Sequence, residues 1–307
     1  MIYTIGETNY DIVFRNGDPI FAVVGGSALN TSITLGRLGL SLAFVSQMGN
    51  DQVGELSFNF IQKNNIICDF ITRYEGTSRL ALAFLDNNNN AKYDFYKADK
   101  SPSVKYPEPA VGDMVLFGST NAIKEEGRDN LLLFLKEAYD KNVLTIYDPN
   151  IRESDPLKMP GIIKKVNENL HFSKLVKGST EDFIQLYNTS DARVIFDKTS
   201  KLGVEVLIVT SGDGDIQLCT KNLFQSFSVQ SIVPVSTIGA GDNFSAGLIF
   251  GFKTYFGNYA SLAQLTASDW EKVIKIAIDF SSRVCLSNEN YISEEYAAEY
   301  LKNLLRA

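Results

Sequence analysis

Short apolar segments that do not alternate with polar residues constrain the fold more than any other feature of this chain. Four such segments are rich in valine, isoleucine and leucine: residues 42–46, 114–117, 143–147 and 206–210. Strands that are buried on both faces have this composition, which is typical of a parallel sheet covered by helices.

Helical patterns separate these segments. The clearest covers residues 128–141, where Leu131, Phe134, Leu135 and Ala138 recur at the spacing of one helix face. Alternating strands and helices predict an α/β fold with three layers, α/β/α, and a mostly parallel central sheet. The 307 residues are enough for a substantial core.

Two stretches, residues 4–24 and 77–96, alternate as half-buried strands do. Within the second, residues 80–85 and 92–96 flank Asp86 and four asparagines, which is a hairpin signal. An antiparallel piece within a parallel fold predicts a small antiparallel β lid, formed by about residues 10–24 and 76–98.

Composition excludes several classes of function. A net charge of -7 argues against a nucleic-acid partner. His171 is the single histidine and the three cysteines are widely spaced, which argues against a histidine-based triad, a zinc site or a disulfide framework. No leader pattern is visible and no apolar run reaches the ~18 residues that span a bilayer. We therefore expect a cytoplasmic enzyme without a membrane partner.

The most informative segment is residues 235–248, in which Gly239, Ala240, Gly241 and Asp242 follow a strand-like stretch and open a helix. Small residues there leave the backbone N–H groups of the helix start accessible, which suits a phosphate. Asp242 has two interpretations. It is an ordinary helix cap, or it accepts a proton from an attacking hydroxyl in phosphoryl transfer.

A second glycine-rich segment covers residues 25–39. Gly25 and Gly26 lead into a helix that carries Asn30 in its first turn and Gly39 near its end. It is either a plain strand–helix junction or a place where the backbone approaches a polar ligand. The GxxxxGK[ST] phosphate loop and a GxGxxG after the first strand are both absent, which disfavours Walker-type hydrolases and nicotinamide enzymes.

Together the two segments resemble the two signatures of the PfkB (ribokinase-like) carbohydrate kinases. The first signature is matched by residues 25–30, 37–39 and 49–54, and the second by residues 237–247. The likeness extends from Gly6 to about Phe280. It implies a single ribokinase-like kinase domain over residues 1–307, with a β lid over a sugar and ATP-dependent phosphorylation of a hydroxymethyl group.

The resemblance also implies roles for matching residues. It places a general base at Asp242 and an anion hole at the backbone amides of Gly239, Ala240, Gly241 and Asp242. Sugar contacts are expected from Asp11, Gly25, Gly26, Asn30, Asn150 and Arg152. Nucleotide contacts are expected from Lys177, Ser179, Thr210, Gly212 and Gly214. Magnesium (Mg2+) is expected near Asp182 and Glu181, through water.

From the residues alone, two of these segments have simpler interpretations. Residues 148–152 also fit an Asp-Pro turn, and Ser179 also fits a helix cap followed by acids in the first turn. The family often has an acid where this chain has Ser236, which leaves potassium (K+) activation open. The usual second-glycine spacing after Gly212 and the Gly-Ala near residues 285–291 are also missing.

The substrate is less constrained than the chemistry. Residues 6–11 and 148–152 look most like the fructokinase branch, so fructose is the first choice. The lid residues Arg79, Tyr93, Phe95 and Lys97 face the substrate or solvent. If Arg79 and Lys97 both point inward, an acidic sugar such as 2-keto-3-deoxygluconate gains weight. A nucleoside kinase and a non-catalytic sugar-binding relative are the alternatives, and exposed lid edges predict a homodimer.

Overall fold

Alternating buried strands and helices make up most of the chain. A computed structural model describes residues 1–86, 91–96, 103–151, 158–257 and 262–306. The described strands are β1 (Ile2–Ile5), β2 (Asn9–Arg15), β3 (Asp18–Gly25), β4 (Leu42–Gly49), β5 (Ile71–Tyr74), β6 (Leu80–Leu85), β7 (Ala91–Tyr96), β8 (Met114–Gly118), β9 (Leu144–Asp148), β10 (Leu175–Ser179), β11 (Val206–Thr210), β12 (Ile216–Thr220) and β13 (Phe224–Phe227). The described α-helices are α1 (Ser27–Arg37), α2 (Gln52–Lys63), α3 (Arg128–Asp140), α4 (Met159–Leu170), α5 (Thr180–Tyr187), α6 (Ala192–Thr199), α7 (Ala240–Phe256), α8 (Ala267–Cys285) and α9 (Glu294–Leu304).

The large sheet contains nine of the described strands, in the order β13-β12-β11-β10-β9-β8-β1-β4-β5. Neighbours are parallel except at one edge, where β12 pairs antiparallel with both β11 and β13. The four apolar segments are β4, β8, β9 and β11, so the predicted strands are confirmed.

Helices cover both faces of this sheet. Successive side chains of a strand point to opposite faces, and Phe44 and Val45 on β4 accordingly belong to two separate apolar clusters. The first cluster is completed by α1, α2, α7, α8 and α9, and the second by α3, α4, α5 and α6. The helix predicted over residues 128–141 is α3. The predicted three-layer α/β/α fold is therefore confirmed.

A second sheet has four strands in the order β3-β2-β6-β7. The hairpins β2–β3 and β6–β7 are antiparallel, while β2 and β6, which join them, are parallel. The parallel pair arises because β2 follows β1 and β6 follows β5, and β1 and β5 run in the same direction in the large sheet. The small sheet is thus present as predicted, with a parallel pair at its centre.

One part of the strand prediction is wrong. The sequence predicts alternating strands over residues 4–24, but Thr4 and Ile5 belong to β1, which is wholly buried in the large sheet. A strand of four residues is too short to show its period. The predicted asparagine turn is not assessed, because residues 87–90 lie outside the described residues. None of the described helices has the length and apolar character needed to cross a membrane.

Candidate active site

A cavity of about 870 Å³ lies at the carboxyl ends of the parallel strands. Its floor is formed at the ends of β1, β8, β9, β10 and β11, and its roof includes Asp11, Arg79, Tyr93 and Phe95 from the small sheet. Ligands of open α/β sheets bind at this edge, outside the carboxyl ends of the strands. The cavity is therefore the candidate active site.

Asp242 projects into the cavity from the first turn of α7. Ser27 Oγ donates to its Oδ1 and Asn30 Nδ2 donates to its Oδ2, each at 2.7 Å. Thr31 Oγ1 also donates to the Asp242 carbonyl oxygen at 2.8 Å. The cap position of α7 is Gly239 and no side chain caps this helix. The capping interpretation of Asp242 is thus wrong, and its carboxylate is instead held by α1.

The turn before α7 leaves backbone donors available. Gly239 has φ 82°, a left-handed conformation that favours glycine, and a Cβ there would lie 2.4 Å from the Asn290 carbonyl oxygen. The Ala240 amide donates to the Thr237 carbonyl at 3.3 Å, whereas those of Gly241 and Asp242 have no acceptor among the described residues. These two amides, at a positive helix end, are a candidate anion-binding position.

A buried ion pair lies beside these amides. Lys177 Nζ donates to Asp148 Oδ2 at 2.9 Å, and a Cβ on Gly241 would lie 2.9 Å from the same ammonium. Burial lowers the pKa of Lys177, but Asp148 outweighs it and holds that pKa above its usual value. Burial raises the pKa of Asp148 to about 6 even though Lys177 lowers it. The cation therefore stays charged next to the anion-binding position.

The end of the cavity next to the small sheet is polar. Asp11 lies on β2, and a Cβ on Gly25 would lie 2.3 Å from its Oδ2, so a larger residue there would displace the Asp11 carboxylate. Burial raises the pKa of Asp11 to about 7, against the hydrogen bond that Asn290 Nδ2 donates to it at 3.3 Å. Gly26 lines the cavity with φ 129°, whereas Gly25 lies behind Asp11 and does not line it.

Several buried polar atoms lining this end have no hydrogen-bond partner in the described part of the chain. They are Asn9 Oδ1, Asn30 Oδ1 and Arg79 Nε. Buried polar atoms are normally paired, and an unpaired one loses free energy unless a ligand or water satisfies it. Two acceptors and one donor therefore suit a ligand rich in hydroxyl groups.

The residues expected near magnesium differ in their hydrogen bonds. Ser179 caps α5 and forms a reciprocal capping box with Asp182, whose other oxygen accepts from the Ile151 amide at 2.7 Å. Asp182 thus fixes the start of α5 and the segment after β9. Glu181 and Asn150 also line the cavity. The described residues contain no cluster of three or more metal-ligating side chains, and Arg152 lies outside them.

The other end of the cavity, next to the end of β11, is partly apolar. Thr210 and Gly212 line it, but Gly214 does not; the Gly214 amide donates to the Ser211 carbonyl in a tight turn. The wall also includes residues that the sequence analysis missed: Ile216, Val229, Ile238, Ile278, Ser281 and Ser282. Ile278, Ser281 and Ser282 lie on α8 at i, i+3 and i+4 and therefore share one helix face. This spacing is visible in the sequence and could have indicated that face.

Ser27 and Thr31 were also missed as partners of Asp242. With Asn30 they form an i, i+3, i+4 polar stripe on an otherwise buried helix, a pattern that marks one face. Asn290 was missed without any such signal, because it meets Asp11 across 279 positions of the chain.

A doubly covered parallel sheet with a small sheet over its ligand edge defines a ribokinase-like α/β protein. The profile described as pfkB family carbohydrate kinase matches residues 1–295. This chain belongs to the pfkB family of carbohydrate kinases, and the predicted membership is confirmed.

The individual relatives match this chain at low sequence identity. A fructokinase of Rhizobium leguminosarum bv. trifolii is 26% identical over 262 residues, which cover 82% of this chain and 80% of that protein. The probable chloroplastic fructokinase-6 of Arabidopsis thaliana is 26% identical over 239 residues, or 73% of this chain, and the match spans only 61% of that protein.

Solved structures share the fold. The fructokinase of Vibrio cholerae O395 in fructose, ADP and calcium ion bound form superposes with a TM-score of 0.83 at 17% identity, covering 98% of both chains. The fructokinase of Xylella fastidiosa with bound ATP gives a TM-score of 0.85 at 18% identity, covering 99% of this chain and 98% of that one.

Proposed function

We propose that this chain is an ATP-dependent sugar kinase that transfers the γ-phosphate to a hydroxymethyl group of a neutral sugar, with fructose as the first choice. The observation that carries the proposal is the position of Asp242. Its carboxylate is oriented by Ser27 and Asn30 and adjoins the two unpaired amides of α7. A proton acceptor and an anion-binding position are thus next to each other.

In the proposed reaction, Asp242 accepts the hydroxyl proton while that oxygen attacks the γ-phosphorus and ADP leaves. The amides of Gly241 and Asp242 and the ammonium of Lys177 stabilise the charge on the transferring group. Asp148 keeps that ammonium in place. The small sheet acts as a lid that excludes water from the reaction.

The two ends of the cavity suit the two substrates. Asp11, Asn30 and the Arg79 Nε offer hydrogen-bonding groups to sugar hydroxyls, with Asn150 and Arg152 proposed alongside them. Thr210, Gly212 and the apolar side chains of Ile216, Val229 and Ile278 suit a nucleoside. Lys177 and Ser179 line the same cavity and are proposed to contact the nucleotide. The role proposed from sequence for Gly214 is at most indirect, since it lies outside the cavity lining.

Magnesium, when bound with the nucleotide, neutralises phosphate charge. Glu181 faces the cavity, while both oxygens of Asp182 already accept protein hydrogen bonds. We therefore propose Glu181 as the better placed of the two for a water-mediated contact. Potassium activation stays open: the buried Ser236 hydroxyl accepts from the Ile238 amide at 3.2 Å. The expected homodimer and cytoplasmic location stay predictions.

Arg79 bears on the choice of sugar. It points into the cavity, as the sugar-acid alternative requires, but its guanidinium is paired with Glu7. A compensated arginine favours a neutral sugar over 2-keto-3-deoxygluconate. Lys97, the second cation of that alternative, lies outside the described residues.

ATP consumption by the purified chain tests the proposal across D-fructose, 2-keto-3-deoxygluconate and adenosine. Turnover with fructose, giving a product phosphorylated at a hydroxymethyl group, is the expected result. Turnover with adenosine alone would assign a nucleoside kinase. Sugar binding without any turnover would assign the non-catalytic alternative and would reject the proposal.

A further inference from the structure

An ion cluster at the junction of the two sheets is the strongest unassigned feature of the cavity. Glu7 follows β1, and its side chain is only 9% exposed. Its Oε1 accepts from Arg79, at the start of the small sheet, and from Lys124 Nζ at 3.4 Å. Its Oε2 accepts from Thr120 Oγ1 at 2.8 Å. Burial raises the pKa of Glu7, but the two cations outweigh it and hold that pKa low, so this carboxylate is ionised.

Arg79 is the cavity-facing member of the cluster that would recognise an anion. Its side chain is only 10% exposed, and its Nε has no hydrogen-bond partner in the described part of the chain. A guanidinium normally binds a carboxylate with two parallel N–H groups. Glu7 accepts from Nη1 and compensates the charge of the guanidinium, so the unpaired Nε offers the ligand a donor within a neutralised pair, which suits a hydroxyl.

The surrounding charges strengthen this discrimination. Lys124 contacts Glu7 but does not line the cavity, so Arg79 is the cation of this cluster that a ligand in the cavity can contact. Asp242 lines the same cavity as Glu7, and so does Asp11, whose carboxyl is charged above its raised pKa of about 7. A sugar carboxylate entering there would meet like charges, which is an effective means of rejecting a ligand.

We propose that Glu7 is a specificity-determining residue: by neutralising Arg79 it restricts the site to uncharged sugars, and removing its charge admits sugar acids. The inference rests on the proposed function and deepens it. With Glu7 present the site favours a neutral sugar, whereas Arg79 without Glu7 would favour an acidic one.

The test compares D-fructose with 2-keto-3-deoxygluconate in the native chain and in Glu7→Gln. Glutamine keeps the shape and an oxygen acceptor for Thr120 and Arg79 while it removes the charge. The ratio of kcat/KM for the acid to that for fructose is expected to rise about tenfold or more, the effect of removing one like-charge contact. Glu168→Gln, which removes the partner of Arg128 away from the cavity, should leave the ratio unchanged.

Dependence on Arg79 separates specificity from a structural effect. In Glu7→Gln combined with Arg79→Gln the gain should disappear. An unchanged ratio in folded Glu7→Gln, or a gain that persists without Arg79, would overturn the inference. If Glu7→Gln does not fold, Arg79→Gln is compared with the double variant, since these two differ only in the charge of Glu7. The ratio of kcat/KM for the acid to that for fructose should be about tenfold lower in Arg79→Gln, and equal ratios contradict the role of Glu7.

Binding distinguishes this inference from the proposed function. Stabilisation against thermal unfolding by each sugar is measured without ATP. If no variant turns over any sugar, the kinase proposal fails, yet Glu7→Gln must still gain stabilisation by the acid relative to fructose. A native chain that uses the acid better than fructose overturns the inference and the choice of a neutral sugar, but leaves the proposed phosphoryl transfer from ATP intact.

Discussion

Replacing Lys177 by methionine tests the buried ion pair that underlies the anion-binding position. Methionine keeps most of the side-chain volume and removes the ammonium 2.9 Å from Asp148. Both side chains are nearly inaccessible, at 5% and 8% exposed. Breaking such a pair leaves an uncompensated buried charge and costs about 3–5 kcal/mol. At roughly 2 °C per kcal/mol, the melting temperature should fall by about 6–10 °C.

The sign of the pH dependence follows from Asp148. Its folded pKa is raised to about 6 even with Lys177 present, above the value near 4 of an unfolded chain. A folded carboxyl with a raised pKa binds more protons than the unfolded one, so stability falls as pH rises between the two values. Without Lys177 the folded pKa of Asp148 rises further, so the loss of stability should be larger at pH 8 than at pH 5.

Urea unfolding followed by fluorescence is the measurement, because Trp270 is the single tryptophan and is fully buried in α8. The matched control is Lys177→Met combined with Asp148→Asn, which removes both charges and should regain about 2 kcal/mol or more. A single variant that loses less than about 1 kcal/mol, or a double variant no more stable than the single one, would refute the reasoning.

Two further changes probe the ends of the cavity. Asp11→Asn should raise KM for the sugar and should also raise the melting temperature at pH 8 by roughly 2 °C or more. The reason is that the folded pKa of Asp11 is raised to about 7. Its buried charge therefore lowers the stability of the native chain as pH rises from about 4 through 7. An unchanged melting temperature at pH 8 contradicts this. Gly239→Ala forces a Cβ to 2.4 Å from the Asn290 carbonyl oxygen at a residue with φ 82°. The amides of α7 should therefore shift, and kcat should fall about 100-fold. A kcat within about threefold of native would show that these amides are not aligned for catalysis.

The sequence predicts local features of the fold well. The strands β4, β8, β9 and β11 and the helix α3 are each specified by their own apolar pattern. The edge strands β12 and β13 carry no such pattern, and β10 contains a lysine that hides its burial. That lysine is tolerated because Asp148, on the neighbouring strand, pairs with it, and no local pattern reports a partner 29 positions away.

The candidate site divides in the same way. Gly239 to Asp242 and Gly25 to Asn30 are contiguous segments, and each appears in the sequence as a glycine-rich helix start. Their meeting is not local: Asn30 reaches Asp242 across 212 positions of the chain. Glu7 was visible in the sequence only as one more acid, and its pairing with Arg79 depends on how the two sheets join.

The central claim is that Asp242 accepts the proton of the attacking hydroxyl. The most direct measurement is single-turnover phosphoryl transfer from ATP to the preferred sugar in Asp242→Asn, with thermal unfolding to show that the fold survives. The account predicts a rate lower by roughly 10²–10⁴ or more with sugar binding largely retained. A folded Asp242→Asn variant with a rate within about tenfold of native would contradict it.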